Sequence, residues 1–177
     1  MAVKTQKYLG AMKNRELVRD TVVGGVAKGV SITAGQLCFY GSGDPAGWKP
    51  TNAAVLRRGK VRIAENDASN TADEYTDPDA GVKKGDKVVT TWGGGIIAVV
   101  KVGELTKSSN EVAFAAGDPF INAASGTITS VLQPSTAPTP DDYLGVVLGK
   151  INEVDEHDVE AYGKQLATND LVYVRMY

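Results

Sequence analysis

With one cysteine and one histidine in 177 residues, the chain is poorly supplied for most side-chain chemistry. A lone cysteine excludes an internal disulfide. Cys38 stands between Leu37 and Phe39 in a strand-like run, which predicts a buried thiol packing as a small hydrophobe. A zinc site draws on a set of Cys and His ligands, and none is available. Any Ser-His-Asp or Cys-His arrangement would have to use His157, and no nucleophile-elbow motif accompanies it. It reads as a solvated histidine in the acidic run 153–160.

Aromatics are scarce at 7%, and the net charge is only −2. Nucleic-acid binding needs a broad basic face with stacking aromatics, so no nucleic-acid partner is expected. The apolar run Ile96–Val100 falls far short of the roughly 20 residues that cross a bilayer as a helix. Residues 1–20 contain no apolar signal-peptide core and no lipidation motif. These shortages predict no membrane partner, no cofactor, no metal and no catalytic residue, in a protein assembled in a reducing compartment. Two local motifs do not change this. Asp77-Pro78-Asp79-Ala80-Gly81 departs from a calcium loop at the glycine and lacks the closing Glu, since position 88 is Val. The glycine-rich segment 41–47 has no helix pattern behind it to cradle a phosphate.

What is abundant is turn chemistry and short alternating runs, with 20 glycines in the chain. They predict an all-β fold, a compact barrel or sandwich with long loops and an extended N-terminal arm. The stretch 82–102 is the clearest. Val88, Thr90 and Trp92 alternate with Lys87, Val89 and Thr91, three glycines follow, and Ile96 to Val102 is β-branched nearly throughout. This pattern predicts a β-hairpin reversing at Gly93-Gly94-Gly95. Further strands are expected over 21–26, 30–32, 37–40, 53–64, 127–132, 143–151 and 171–177. Residues 41–52, GSGDPAGWKPTN, read as a loop, as does the acidic segment 65–81. A short helix over 155–166 fits Val159, Tyr162 and Leu166, although Gly163 weakens it.

The turn that opens this stretch recurs. A small or polar residue, Gly or Asn, and then Asp or Gln precede a strand at positions 35, 85, 117 and 169. Asn169 replaces glycine in the last copy, and asparagine is the residue next most able to take a left-handed conformation. The spacing suggests two pseudo-equivalent halves, 32–103 and 114–177, within a single domain 21–177. Chance recurrence of common turn chemistry is the competing explanation.

Charge is segregated. Residues 1–20 carry Lys4, Lys7, Lys13, Arg15 and Arg19 against only Glu16 and Asp20, with Tyr8 among scattered apolar anchors. A basic arm laid on a partner and a solvated tail fit this segment equally. Arg57, Arg58, Lys60 and Arg62 form a second basic cluster. Trp48, in a polar loop, is either a plug on the core edge or a contact residue, with the plug favoured. The candidate capsid or subunit contacts are therefore Lys4, Lys7, Tyr8, Lys13, Arg15, Arg19, Trp48, Arg57 and Arg58.

Several of these motifs together resemble the small capsid decoration, or cement, proteins of tailed bacterial viruses. The resemblance rests on Ile32-Thr33-Ala34-Gly35, on 61–68 with its acidic continuation, on Ala115-Ala116-Gly117-Asp118, and on Tyr143-Leu144-Gly145-Val146-Val147-Leu148. It implies a structural protein without catalytic residues on the outside of a virion. Its partners would be the major capsid protein and copies of itself, often as a homotrimer. Two other readings stay open: a different virion component such as a head–tail or tail-tube protein, favoured by a long hairpin that pairs between subunits, or a non-catalytic carbohydrate-binding module.

Overall fold

The computed structural model describes residues 10–11, 20–71, 87–151 and 163–177. Within them the chain is all-β, as expected. Its strands are β1 (Gly10–Ala11), β2 (Asp20–Gly25), β3 (Ser31–Ile32), β4 (Leu37–Gly41), β5 (Gly47–Pro50), β6 (Arg62–Ala64), β7 (Ala68–Ser69), β8 (Lys87–Trp92), β9 (Ile97–Lys101), β10 (Thr106–Lys107), β11 (Asn110–Glu111), β12 (Pro119–Asn122), β13 (Ile128–Ser130), β14 (Gly145–Lys150) and β15 (Leu171–Met176). One sheet has the order β2-β8-β6-β4-β5, and a second has the order β1-β9-β15-β14-β12-β13. Two small ladders, β3–β7 and β10–β11, complete the set.

The two large sheets are the same structure built twice. Matching β2, β8, β6, β4 and β5 to β9, β15, β14, β12 and β13 reproduces the order, and the register follows. Leu37 faces Ile63 and Cys38 faces Arg62, as Pro119 faces Val146 and Phe120 faces Gly145. Val23 faces Val89 as Val99 faces Tyr173. Tyr40 faces Trp48 as Asn122 faces Ile128. Each sheet also curls until one isolated parallel bridge links its first strand's end to its last, Val26 to Trp48 and Val102 to Ile128. One bridge is not a ladder, and neither sheet closes into a barrel.

The strands are launched by one repeated turn. At 27–30, 33–36, 93–96, 115–118 and 167–170 the fourth N–H bonds the first carbonyl at 3.1 Å. The third residue has positive φ: Gly29 +77°, Gly35 +89°, Gly95 +80°, Gly117 +99° and Asn169 +74°. A type II turn needs this conformation. In each turn the third N–H donates to a carbonyl across the sheet, and the residue bearing that carbonyl donates back to the fourth residue's carbonyl. The partners are Asn70, Ala64, Met176, Val147 and Val102. Two residues thus oppose one, the arrangement of a glycine-type bulge, which twists the strand that leaves it. Side chains lock three of the turns. Gln36 Oε1 accepts from Thr33 N–H (2.8 Å), Asp118 Oδ2 from Ala115 N–H (2.8 Å), and Asp170 Oδ2 from Ala167 N–H (2.7 Å). The expected turns at 35, 117 and 169 thus share one geometry. Gly85 lies outside the described residues, as do the stretch 72–86 and most of the helix expected over 155–166; the described end of that helix, 163–166, is not helical, and Gln165 forms an antiparallel bridge with Ala115.

Each half buries a matching core. Val26, Ile32, Cys38, Trp48, Ala64 and Val88 cluster in the first half. Their equivalents Val102, Phe114, Phe120, Ile128, Val147 and Val172 belong to the larger second cluster. That cluster also takes in Leu37, Val61 and Ile63, so β4 and β6 of the first sheet bury residues on both faces and their far side seals against the second half.

The structure corrects several expectations, among them the loop over 65–81, which holds β7 paired with β3. The stretch 87–101 is not a hairpin: β8 pairs with β2 and β6, whereas β9 pairs with β1 and β15. The glycine turn carries the chain from one sheet to the other, so β9 opens the second half. The halves accordingly begin at β2 and β9, not at 32 and 114. Residues 53–64 form a strand only at Arg62–Ala64, after a 3₁₀ turn at Arg58–Lys60. The segment 41–52 includes the strand Gly47–Pro50, which pairs with β4 at the end of its sheet. Proline is tolerated at the end of such an edge strand because its missing N–H leaves no ladder bond unmade.

Candidate interaction surfaces

Trp48 is core, not a contact residue. It is buried beside Gly24, where an added methyl would overlap the indole ring, and Tyr40 packs edge-on against it at 5.8 Å between centroids. The comparison of halves explains why a tryptophan sits in so polar a segment. Where the second half has Phe120 and Ile128, the first has Cys38 and Trp48. A small residue beside a large one fills the room of two medium ones, so volume is conserved while its distribution changes.

The basic cluster is dispersed by the fold. Arg62 turns into its sheet, donating to Asp20 Oδ2 (2.8 Å), Asp20 O (2.6 Å) and Thr90 Oγ1 (3.1 Å). Arg58 lies over the Tyr177 ring, 5.6 Å from its centroid. Arg57 is exposed, and its charge helps to lower the Asp142 pKa. Of the four cations, Arg57 and Lys60 are exposed and the other two are half-buried. Lys4, Lys7, Tyr8, Lys13, Arg15 and Arg19 lie outside the described residues.

The one described thiol is inert. Cys38 is fully buried, and burial pushes its pKa up to about 12, so it stays protonated at neutral pH. A cavity of about 500 Å³ has Asn122, Thr129, Gln133 and Asn169 in its wall. The fold consumes much of this polar lining. Thr129 Oγ1 donates to Glu104 O (3.0 Å) and Gln133 Nε2 to Thr106 O (2.8 Å). Asn122 Nδ2 donates to Asn52 O (3.1 Å) and Ala54 O (2.8 Å), while its Oδ1 accepts from Leu56 N–H (2.9 Å). Asn122 therefore clamps the 52–56 loop. Its only signal in the sequence is a polar side chain directly after the apolar run Pro119-Phe120-Ile121. Among the described residues no group of three or more His, Cys, Asp or Glu is arranged to hold a metal. Nor is any helix among them long and apolar enough to cross a membrane.

The surface feature that stands out is β2. Its residues are exposed except for half-buried Gly24. Val23 is 61% exposed, whereas its equivalent Val99 is 1% exposed. Among the described residues no strand pairs with the outer edge of β2, while the same edge of β9 is covered by β1. Neither a family model nor a curated protein matches the chain in comparisons with known proteins.

Proposed function

We propose that this chain is a structural virion protein that binds the outer surface of a major capsid protein lattice and stabilises the shell. The observation that carries the reading is the repeated turn. The Ala-Gly-Asp and Thr-Ala-Gly-Gln sequences behind the resemblance to decoration proteins are folded into one geometry, each launching a strand of a doubled all-β body. A body stiffened in this way offers many modest contacts. Standard interfaces bury about 800 Å² per partner, and repetition around a trimer raises avidity through effective concentration. The basic residues of 1–20 are the proposed capsid-facing arm, with Arg57 as an exposed cation on the body. In this reading the chain is not an enzyme, and its place is the capsid exterior after synthesis in a host cytoplasm. A tail-tube role would be favoured by a long intersubunit hairpin, and β8 and β9 do not form one.

The test is sedimentation equilibrium followed by co-sedimentation with empty capsid shells. The expected result is a trimer that saturates the shells and whose binding weakens when residues 2–19 are removed. A full-length chain that fails to co-sediment with the shells at any concentration overturns the capsid reading. Unchanged affinity after removal of 2–19 overturns the role given to the arm.

A further inference from the structure

The two halves differ at one equivalent place, and that difference has a chemical meaning. On β9, Gly10 faces Val99 and Ala11 faces Ala98, in an antiparallel pair. The corresponding positions on β2 are Val23 and Val22, both exposed. The edge is not merely bare; it is presented. Val89, opposite Val23, turns both backbone groups toward β6: its carbonyl accepts from Glu65 N–H (2.8 Å) and its N–H donates to Asn66 Oδ1 (2.7 Å). The Val23–Val89 pair is therefore a non-hydrogen-bonded one, in which both residues direct N–H and C=O away from each other. The backbone groups of Val23 thus point outward, and among the described residues no strand pairs with them. Such an edge is a template for strand addition.

We infer that the outer edge of β2 receives residues 1–9 of a second copy of this chain, laid antiparallel as β1 lies on β9. Each chain has two edges of this kind and one described arm strand, and that strand is spent on its own β9. Nine residues precede Gly10. Extended, they reach roughly 30 Å, enough to leave one body and run along another. Ala2 to Tyr8 contains no proline or glycine and includes the strand formers Val3, Thr5 and Tyr8. Strand addition uses the backbone of 1–9, whereas the capsid contact proposed above uses the basic side chains of the same arm, so the two are tested by separate readouts.

Hydrogen exchange at the outward amides of Thr21 and Val23 in the full-length chain tests it, measured across a concentration series, since the amides of Val22 and Gly24 are already held by the β2–β8 ladder. The expected result is protection that grows with concentration. It should be lost when residues 2–9 are deleted, and lost in Val23→Pro, which removes the outward donor without touching the β2–β8 ladder. Val23→Lys serves as the second variant should the proline disturb the strand; it should weaken protection at unchanged thermal stability. Absence of protection at every concentration overturns the inference. Protection that is independent of concentration and lost on deletion assigns the arm to its own chain and overturns the second-copy claim. Concentration-dependent protection that survives the deletion assigns β2 to a different partner strand, and it too overturns the inference.

Discussion

Gly35 and Gly117 hold the same turn in the two halves, at φ of +89° and +99°, each donating its N–H to a carbonyl of its half's paired strand, Ala64 at 2.9 Å and Val147 at 2.8 Å. An L side chain in this conformation costs about 1–2 kcal/mol. Gly35→Ala and Gly117→Ala should each lower the stability of the protein by that amount in urea titrations. Asn169→Gly, at +74°, should change it little or raise it slightly.

The fourth position of the turn works through its side chain. Asp118 and Gln36 both accept the first residue's N–H at 2.8 Å, so a carboxylate and an amide do the same work. Asp118→Gln should therefore be nearly neutral, while Asp118→Ala should cost about 1 kcal/mol through the lost hydrogen bond. Equal losses for the two variants, measured by the same unfolding assay, would contradict this assignment.

Local chemistry was legible in the sequence because it is local. A positive φ selects Gly or Asn, so the turns at 35, 117 and 169 could be read from single residues. Alternation in 171–176 likewise sets Val172, Val174 and Met176, which the fold buries, apart from Leu171, Tyr173 and Arg175. Partner choice is not local. Alternation over 87–101 says which face is buried but not which strand lies alongside, and the glycine turn serves a crossing between sheets as well as a hairpin. The duplication was visible only faintly, because the halves conserve geometry and volume rather than residues: Cys38 and Trp48 stand where Phe120 and Ile128 do. The turn at 93–96 reads in the sequence as a hairpin reversal rather than as a copy of the repeated turn, because its fourth residue, Ile96, has no polar side chain to mark it, and the same is true of Val30 in 27–30.

Asn122 is the side chain on which the 52–56 loop depends. Replacing it with Leu leaves two carbonyls and one N–H of that loop without their partner. An unsatisfied buried backbone group costs about 1–3 kcal/mol. Asn52 and Ala54 are exposed, so water can replace part of what is lost, and Asn122→Leu should destabilise by about 1–3 kcal/mol. Asn122→Asp should be no better, since a carboxylate keeps the acceptor for Leu56 but repels the carbonyls of Asn52 and Ala54. Denaturant unfolding of both variants, with exchange of the Leu56 amide, checks this.

Two carboxylates tie stability to acid. The hydrogen bond from Arg62, and then the guanidinium charge, hold the Asp20 pKa below its ordinary value. Hydrogen bonds from the Thr139 hydroxyl and then its N–H do the same for Asp142. A depressed folded pKa means that the unfolded chain takes up the proton first. The contribution is therefore fully present above about pH 5 and drains away as pH falls through the folded pKa, below about 4. The protein should lose stability between about pH 5 and 2. Asp20→Asn with Asp142→Asn should flatten that slope while lowering stability at neutral pH. An unchanged slope in unfolding measured across this range would remove both residues from the acid response.

The exchange of volumes between the halves can be tested by making one core resemble the other. Trp48→Ile removes most of an indole from a buried site and should cost about 2–4 kcal/mol through lost burial and the void left behind. Cys38→Phe alone pushes a ring into space that the indole fills, and overpacking of this kind costs about 1–3 kcal/mol. Together the two substitutions reproduce the Phe120–Ile128 arrangement of the second half, so the ring should enter the space that the indole leaves. The double variant should be less destabilised than the sum of the singles, with a coupling of about 1–3 kcal/mol, the size seen for residues that share a cavity. Additive losses in the double-mutant cycle would mean that the two sites do not share one volume. The equivalence of the two halves would then reach the backbone and its register, but not the packing.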